Sequence, residues 1–121
     1  MNQNGKIALI VEPDEDAALA MARQLATLGL DSLTASGVDN AVETLDWLDP
    51  DIVLVSQGLD PENGLRRISR TSEGRAPLVF VGDGTDVDAM GAAIWQGASE
   101  CLMHPFDEEI LEFKLQQTGV L

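Results

Sequence analysis

Five short apolar runs alternate along the chain with stretches in which apolar positions recur every three or four residues. Ile7 to Val11 is the first run, bounded by Lys6 and Glu12, and reads as a buried strand. The acidic group Glu12, Pro13, Asp14, Glu15, Asp16 suits a helix amino end. The spacing of Ala18, Leu19, Ala22, Leu25 and Leu28 predicts a helix that Gly29 stops. Asp31 to Ala35 is a second strand, and Ser36 is placed to cap a helix carrying Val38, Ala41, Val42, Leu45 and Leu48 until Asp49-Pro50 ends it. Trp47 adjoins this spacing as a rim residue.

The third run, Asp51 to Val55, has no polar interruption and is β-branched-rich, the pattern of a strand covered on both faces of a parallel sheet. It closes on Ser56, followed by a turn-rich loop from Gln57 to Gly64 and a short helix over Leu65 to Arg70. After a loop from Thr71 to Pro77, Leu78 to Val81 predicts a fourth strand. Gly82, Asp83, Gly84 and Thr85 open a helix with Val87, Met90, Ala93 and Ile94 on its inner side and Gly97 as its stop. Ser99 to Met103 is a fifth strand, and Asp107 caps a final helix through Ile110, Leu111, Phe113 and Lys114 to about Gln117. Strands alternating with helices predict an α/β fold: a flavodoxin-like, doubly wound, five-stranded parallel sheet with five helices. Ligands of such sheets bind beyond the carboxyl ends of the strands, which places Ser56 where a site is expected.

The length, 121 residues, suits one domain over the whole chain. No apolar run approaches the roughly 20 residues of a membrane span. The start MNQNGK leads straight toward a strand rather than resembling a signal peptide, so the expected location is cytoplasmic. With 21 Asp plus Glu against 7 Lys plus Arg, the formal charge of −14 opposes contact with nucleic acid or anionic membrane. It suits either solubility or a basic partner surface. The single cysteine, Cys101, excludes an internal disulfide and lies in an apolar run, as a buried structural thiol does.

Ala93 to Phe106, AIWQGASECLMHPF, resembles the A-L-x-x-G-A-x-D-Y-L-x-K-P-F of response-regulator receiver domains, sharing Ala93, Gly97, Ala98, Leu102, Pro105 and Phe106 at unbroken spacing. Pro77 to Val81 is similar to that family's fourth strand, and Leu59, Gly64 and Leu65 fit its D-x-x-L-P-x-x-D-G-L stretch. The resemblance covers nearly the whole chain and implies the phosphoacceptor fold of two-component signalling, including a cis bond at His104-Pro105. It also implies that the chemistry is lost. The phosphoacceptor aspartate aligns with Ser56, a weaker nucleophile that would form a stable ester. The acidic pair that holds Mg²⁺ aligns with Glu12 and Pro13, leaving Glu12 and Asp14 to offer oxygens. The switch hydroxyl aligns with Gly82, the phosphoryl-pairing lysine with His104, and the switch aromatic with Cys101. Asp83 is a loop acid that could lean toward the site.

The expectation is therefore a degenerate receiver, a pseudo-receiver with no catalytic residue, no metal and no cofactor. It would regulate by protein contacts, with a protein partner or an attached output domain, or as a homodimer through the fourth helix, fifth strand and fifth helix. An excised domain of a longer signalling protein is compatible with this, QQTGVL then starting a linker. Interaction candidates are Trp95, rotated about 100° from Ile94 toward solvent, and the basic cluster Arg66, Arg67 and Arg70, otherwise read as a solvated face. Two alternatives remain: a small-molecule or ion sensor using the vacated acidic pocket at Ser56, Gly82 and His104, and residual metal-assisted phosphotransfer through Glu12, Asp14 and Asp83. No G-x-G-x-x-G pattern supports a nucleotide version of the sensor.

Overall fold

The computed structural model describes residues 5–60 and 62–121. The first four residues of the MNQNGK start, and Pro61 in the loop from Gln57 to Gly64, lie outside the described residues. The elements run β1 (Ile7–Val11), α1 (Glu15–Thr27), β2 (Asp31–Ala35), α2 (Val38–Leu45), β3 (Ile52–Ser56), α3 (Gly64–Ser72), β4 (Leu78–Asp83), α4 (Val87–Trp95), β5 (Glu100–His104) and α5 (Glu108–Thr118). All strand pairs are parallel, in the order β2-β1-β3-β4-β5. This is the doubly wound, flavodoxin-like arrangement that the alternation of runs predicts.

Successive strand residues point to opposite faces, so each apolar run feeds two cores. Leu9, Val11, Val53, Val55, Leu78 and Phe80 pack with α2, α3 and α4 through Ala41, Leu45, Leu65, Ile68 and Ala93. Ala8, Ile10, Ile52, Leu54, Val79 and Val81 pack with α1 and α5 through Ala18, Met21, Leu25, Leu111 and Leu115. The chain leaves β1 toward β2 and then crosses to β3, so the topological switch point lies at the carboxyl ends of β1 and β3. Glu12 and Ser56 stand there.

Several boundaries and faces differ from the sequence expectation. Gly37, not Ser36, is the N-cap of α2 and makes no side-chain cap bond; the Ser36 N–H instead binds Asn40 Oδ1 at 3.0 Å. α3 continues to Ser72, past the expected start of a loop at Thr71. β4 extends through Gly82 and Asp83, which belong to the sheet rather than to the opening of a helix; α4 is capped by Asp86. β3 and β5 each begin and end one residue later than expected. Leu19 is exposed, and Met21 takes its place among the buried residues of α1. In α4 the sheet-facing residues are Ala93 and Gln96 with Ala89 packed beside them, while Val87 and Ile94 are exposed. Small residues let this helix approach the sheet closely, and hydropathy alone ranks them below isoleucine and valine. QQTGVL is not an extended linker: α5 runs through Gln116 and Gln117 to Thr118, Gly119 caps it, and Val120 is buried with its carbonyl accepting from Lys6 Nζ. No helix among the described residues is long and apolar enough to cross a membrane.

Candidate functional site

The carboxyl ends of β1, β3, β4 and β5 meet at an open pocket of about 650 Å³ lined by Glu12, Ser56, Gln57, Val81, Gly82, Asp83, His104 and Pro105. The parallel register explains the gathering, because Ser56 pairs with Val81, Gly82 with Met103 and Asp83 with His104 across adjacent strands. The expected set of Glu12, Ser56, Gly82, Asp83 and His104 is therefore brought together. Asp14 and Cys101 are elsewhere in function: Asp14 caps α1, accepting from the Asp16 and Ala17 N–H groups, and Cys101 is buried in the core beneath α4. Pro13 is exposed, between Glu12 and the Asp14 cap.

Ser56, Glu12 and Asp83 are each hydrogen-bonded locally. The Ser56 hydroxyl donates to Glu12 Oε1 at 2.7 Å, and Glu12 Oε2 accepts from the Asp14 N–H at 3.1 Å. Asp83 Oδ1 accepts from both the N–H and the hydroxyl of Thr85 at 2.9 Å, and these bonds hold its carboxyl below the usual aspartate range. His104 is exposed, and its ring stacks on Phe106 with centroids 4.6 Å apart. The His104–Pro105 bond is cis, as the resemblance implies.

Gln57 had no role in the sequence reading, yet it ties the pocket together. Its Oε1 accepts from the Asp83 N–H at 2.8 Å, its Nε2 donates to Asp86 Oδ2 at 2.8 Å, and its own N–H reaches the Val81 carbonyl at 2.8 Å. One side chain thus joins the end of β3 to the end of β4 and to the cap of α4. It also closes the space at Gly82. A Cβ there would meet Gln57 Oε1 at 2.7 Å and Phe80 Cε2 at 2.6 Å, closer than carbon atoms stand in contact. The only sequence signal was the pairing of a glycine at a strand end with a long amide after the neighbouring strand, a pattern without periodicity.

The donor set does not fit a magnesium site. Mg²⁺ takes oxygen ligands in near-octahedral geometry. Pro13 offers no side-chain oxygen, Glu12 is bonded to Ser56 and Asp14, and Asp83 is held in its own turn. Among the described residues no three His, Cys, Asp or Glu side chains converge.

The interaction candidates divide. Trp95 is exposed as expected and Trp47 also faces solvent. The arginines do not form one free patch: Arg67 pairs with Asp39 at 2.8 Å, Arg66 is half-buried with its N–H toward Gln96 Oε1, and Arg70 sits in the last turn of α3, where a cation complements the helix dipole.

No protein-family model matches the chain, and no curated protein matches it in sequence. Solved structures do match. A two-component response regulator from Clostridium difficile superposes with a TM-score of 0.84 at 19% identity, over 95% of this chain and 96% of that one. The receiver domain of a sensor histidine kinase from Pseudomonas aeruginosa PAO1, with a magnesium ion coordinated in its active site cleft, gives 0.79 at 20% identity, over 95% and 98%. Full-length FixJ from B. japonicum gives 0.82 at 18% identity, over 96% of this chain and 58% of its own. The fold is that of response-regulator receiver domains.

Proposed function

We propose, with the receiver fold as premise, that this chain is a phosphorylation-independent regulatory domain of bacterial signal transduction. It acts in the cytoplasm by protein contacts and without catalysis. The observation that carries the reading is the filled space at Gly82. A phosphoryl-responsive switch needs a side chain at the end of β4 that moves toward the acceptor. Here the position has no side chain, and Phe80 and Gln57 occupy the place where one would begin. Gln57 then holds β4 and the cap of α4 in one arrangement with no phosphoryl group required.

The acceptor position supports the same reading, because the Ser56 hydroxyl is committed to Glu12 and no Lys or Arg is among the pocket's lining residues to offset charge on a transferring phosphoryl group. The partner is an attached output domain, a separate protein or a second copy, meeting the α4, β5 and α5 surface. A second reading, a sensor of a small molecule or ion, draws on a narrow cavity of about 100 Å³ under α1, where Glu12, Ser56 and His104 adjoin Ile10, Met21 and Val81. Residual metal-assisted phosphotransfer has no supporting donor set.

An amide NMR titration with Mg²⁺, then Mg²⁺ plus beryllofluoride, tests the proposal. The amides of Glu12, Ser56, Gly82 and His104 are expected to stay in place at millimolar metal. Saturable shifts there, moving in concert with α4 and β5, would overturn it. Ser56→Asp is likewise expected to take up no phosphoryl group from a small phosphodonor, because Pro13, Gly82 and His104 are unchanged; intact-mass measurement reads this directly.

A further inference from the structure

The open pocket at the carboxyl ends of the strands adjoins a recess of different character. Glu12, Ser56, Val81 and His104 line both the pocket of about 650 Å³ and the narrow cavity of about 100 Å³ under α1. Beyond those four, the cavity is walled by Ile10, Met21 and Leu54 from the core, by Ala17 and Ala20 on α1, and by Gln24. The two alanines are the smallest side chains a helix can set there without the entropic cost of glycine. A polar mouth therefore leads to a mostly apolar recess. A dry apolar cavity of about 150 Å³ holds a benzene ring, so this one suits a hydrocarbon fragment of about four to six carbons.

The mouth selects by charge. Its lining holds two carboxylates, Glu12 and Asp83, with no Lys or Arg, and His104 is its one other titratable side chain. Both hydrogen bonds from Thr85 to Asp83 fall on Oδ1, which leaves Oδ2 as an acceptor. The Ser56 hydroxyl gives its one hydrogen to Glu12, so its oxygen can still accept. A carboxylate or phosphate ligand would meet like charge here. An ammonium carries three donors and no acceptor, the complement of this mouth, and makes no demand for an octahedral oxygen set. Resting on the second reading, of the pocket as a sensor, and deepening it, we propose that the site binds a small primary amine with an apolar tail of about four to six carbons. The ammonium meets Glu12 and Ser56, with Asp83 at the rim, and the tail lies between α1 and the side chains of Ile10, Leu54 and Val81.

Hexylamine is the probe, charged at neutral pH as a lysine side chain is, and it is titrated into the ¹⁵N-labelled chain beside ethylamine, hexanol and hexanoate. Saturable shifts are expected at Glu12, Ser56, Val81 and His104 and along α1 from Ala17 to Gln24. Hexylamine should bind about tenfold or more tightly than any of the other three. Glu12→Gln should weaken hexylamine about tenfold and leave hexanol unchanged. Ala20→Leu, at an exposed position, should weaken both with an unchanged urea midpoint. Ethylamine binding as well as hexylamine, or hexylamine affinity indifferent to Ala20→Leu, would overturn the proposal, since the carboxylates would then act without the cavity. Hexanol or hexanoate binding as tightly as hexylamine would overturn the amine class and leave the sensor reading standing. No saturable shift from any of the four would overturn both. The phosphorylation-independent reading stays separately readable, because its own titration contains Mg²⁺ and beryllofluoride and no amine.

Discussion

At position 82 the absent side chain is a packing requirement as well as a chemical loss. Restoring a hydroxyl with Gly82→Thr would drive Cβ into Phe80 Cε2 and Gln57 Oε1, at 2.6 and 2.7 Å. The Phe80 ring is buried in the same core cluster as Val55, Ala93 and Cys101. Overpacking of this kind costs about 1–3 kcal/mol, so Gly82→Thr is expected to lower the urea midpoint with its slope unchanged. Gly82→Thr combined with Gln57→Ala should cost less than the two separate losses added together, because the alanine removes one of the colliding atoms; a double-mutant cycle measures that coupling. A cost equal to the sum would mean that Gln57 gives way freely and closes nothing. The neighbouring thiol is shielded too: burial pushes the Cys101 thiol up, with the Glu100 charge acting the same way. A raised thiol contributes stability that is present below its unfolded value and fades as pH rises through the folded one.

Among the elements, α4 is fastened at its amino end by a side-chain cap. Asp86 Oδ1 accepts from the Ala89 N–H at 3.0 Å while Oδ2 takes the Gln57 amide. Asp86→Ala should therefore cost about 0.5–2 kcal/mol and speed hydrogen exchange in the first turn of α4 while β1 and β3 keep their protection. β5 and α5 share the apolar core through Leu102, Leu111 and Leu115, and an ion pair between Glu100 and Lys114 adds to it. Burial pushes the Glu100 carboxyl up, but bonds from Lys114 Nζ and the Cys101 N–H, with the lysine charge, outweigh it and leave the carboxyl below its ordinary value. Its stabilising contribution is then complete above the unfolded glutamate value and is lost as pH falls through the lowered folded one. Lys114→Met should flatten that part of the acid limb in denaturation curves taken from pH 6 to pH 3, and an unchanged limb would show that the pair contributes nothing.

The same helix shows what the chain makes legible. The strands were readable because uninterrupted runs such as Ile52 to Val55 permit little else, and the alternation of strands and helices then restricts the topology. Glu12, Ser56, Gly82 and His104 converge because each follows a parallel strand at its carboxyl end. The phase of α4 was not readable from hydropathy: Ile94 and Val87 outrank Ala89 and Gln96 on any apolar scale, yet tight helix–sheet packing chose the small residues. Gln57 and Phe80 escaped notice for another reason. Their part in the site comes from contacts between β3, β4 and α4 in space, which no spacing along the chain records.

For the whole molecule, the balance lies between a double-sided apolar core and a surface of one sign. The core elements are insensitive to salt, since Leu9, Val53, Leu54 and Leu102 are shut away from solvent. The carboxylates are not. With a formal charge of −14, their mutual repulsion acts across the domain at low ionic strength, where the screening length is about 30 Å at 0.01 M, and is cut off near 10 Å at 0.1 M. The described ion pairs, Arg67 with Asp39, Arg75 with Asp49 and Lys114 with Glu100, neutralise few of these acids. Self-repulsion of this kind destabilises the compact state, and the unfolded chain relieves it by spreading the charges apart. Moving from about 0.01 to about 0.3 M sodium chloride should therefore raise the melting temperature by about 2–6 °C, the equivalent of roughly half to one kcal/mol for a domain of this size. A melting temperature that falls with salt would mean that attractive pairs outweigh repulsion. The acids of α4 and α5 would then be compensated within the chain.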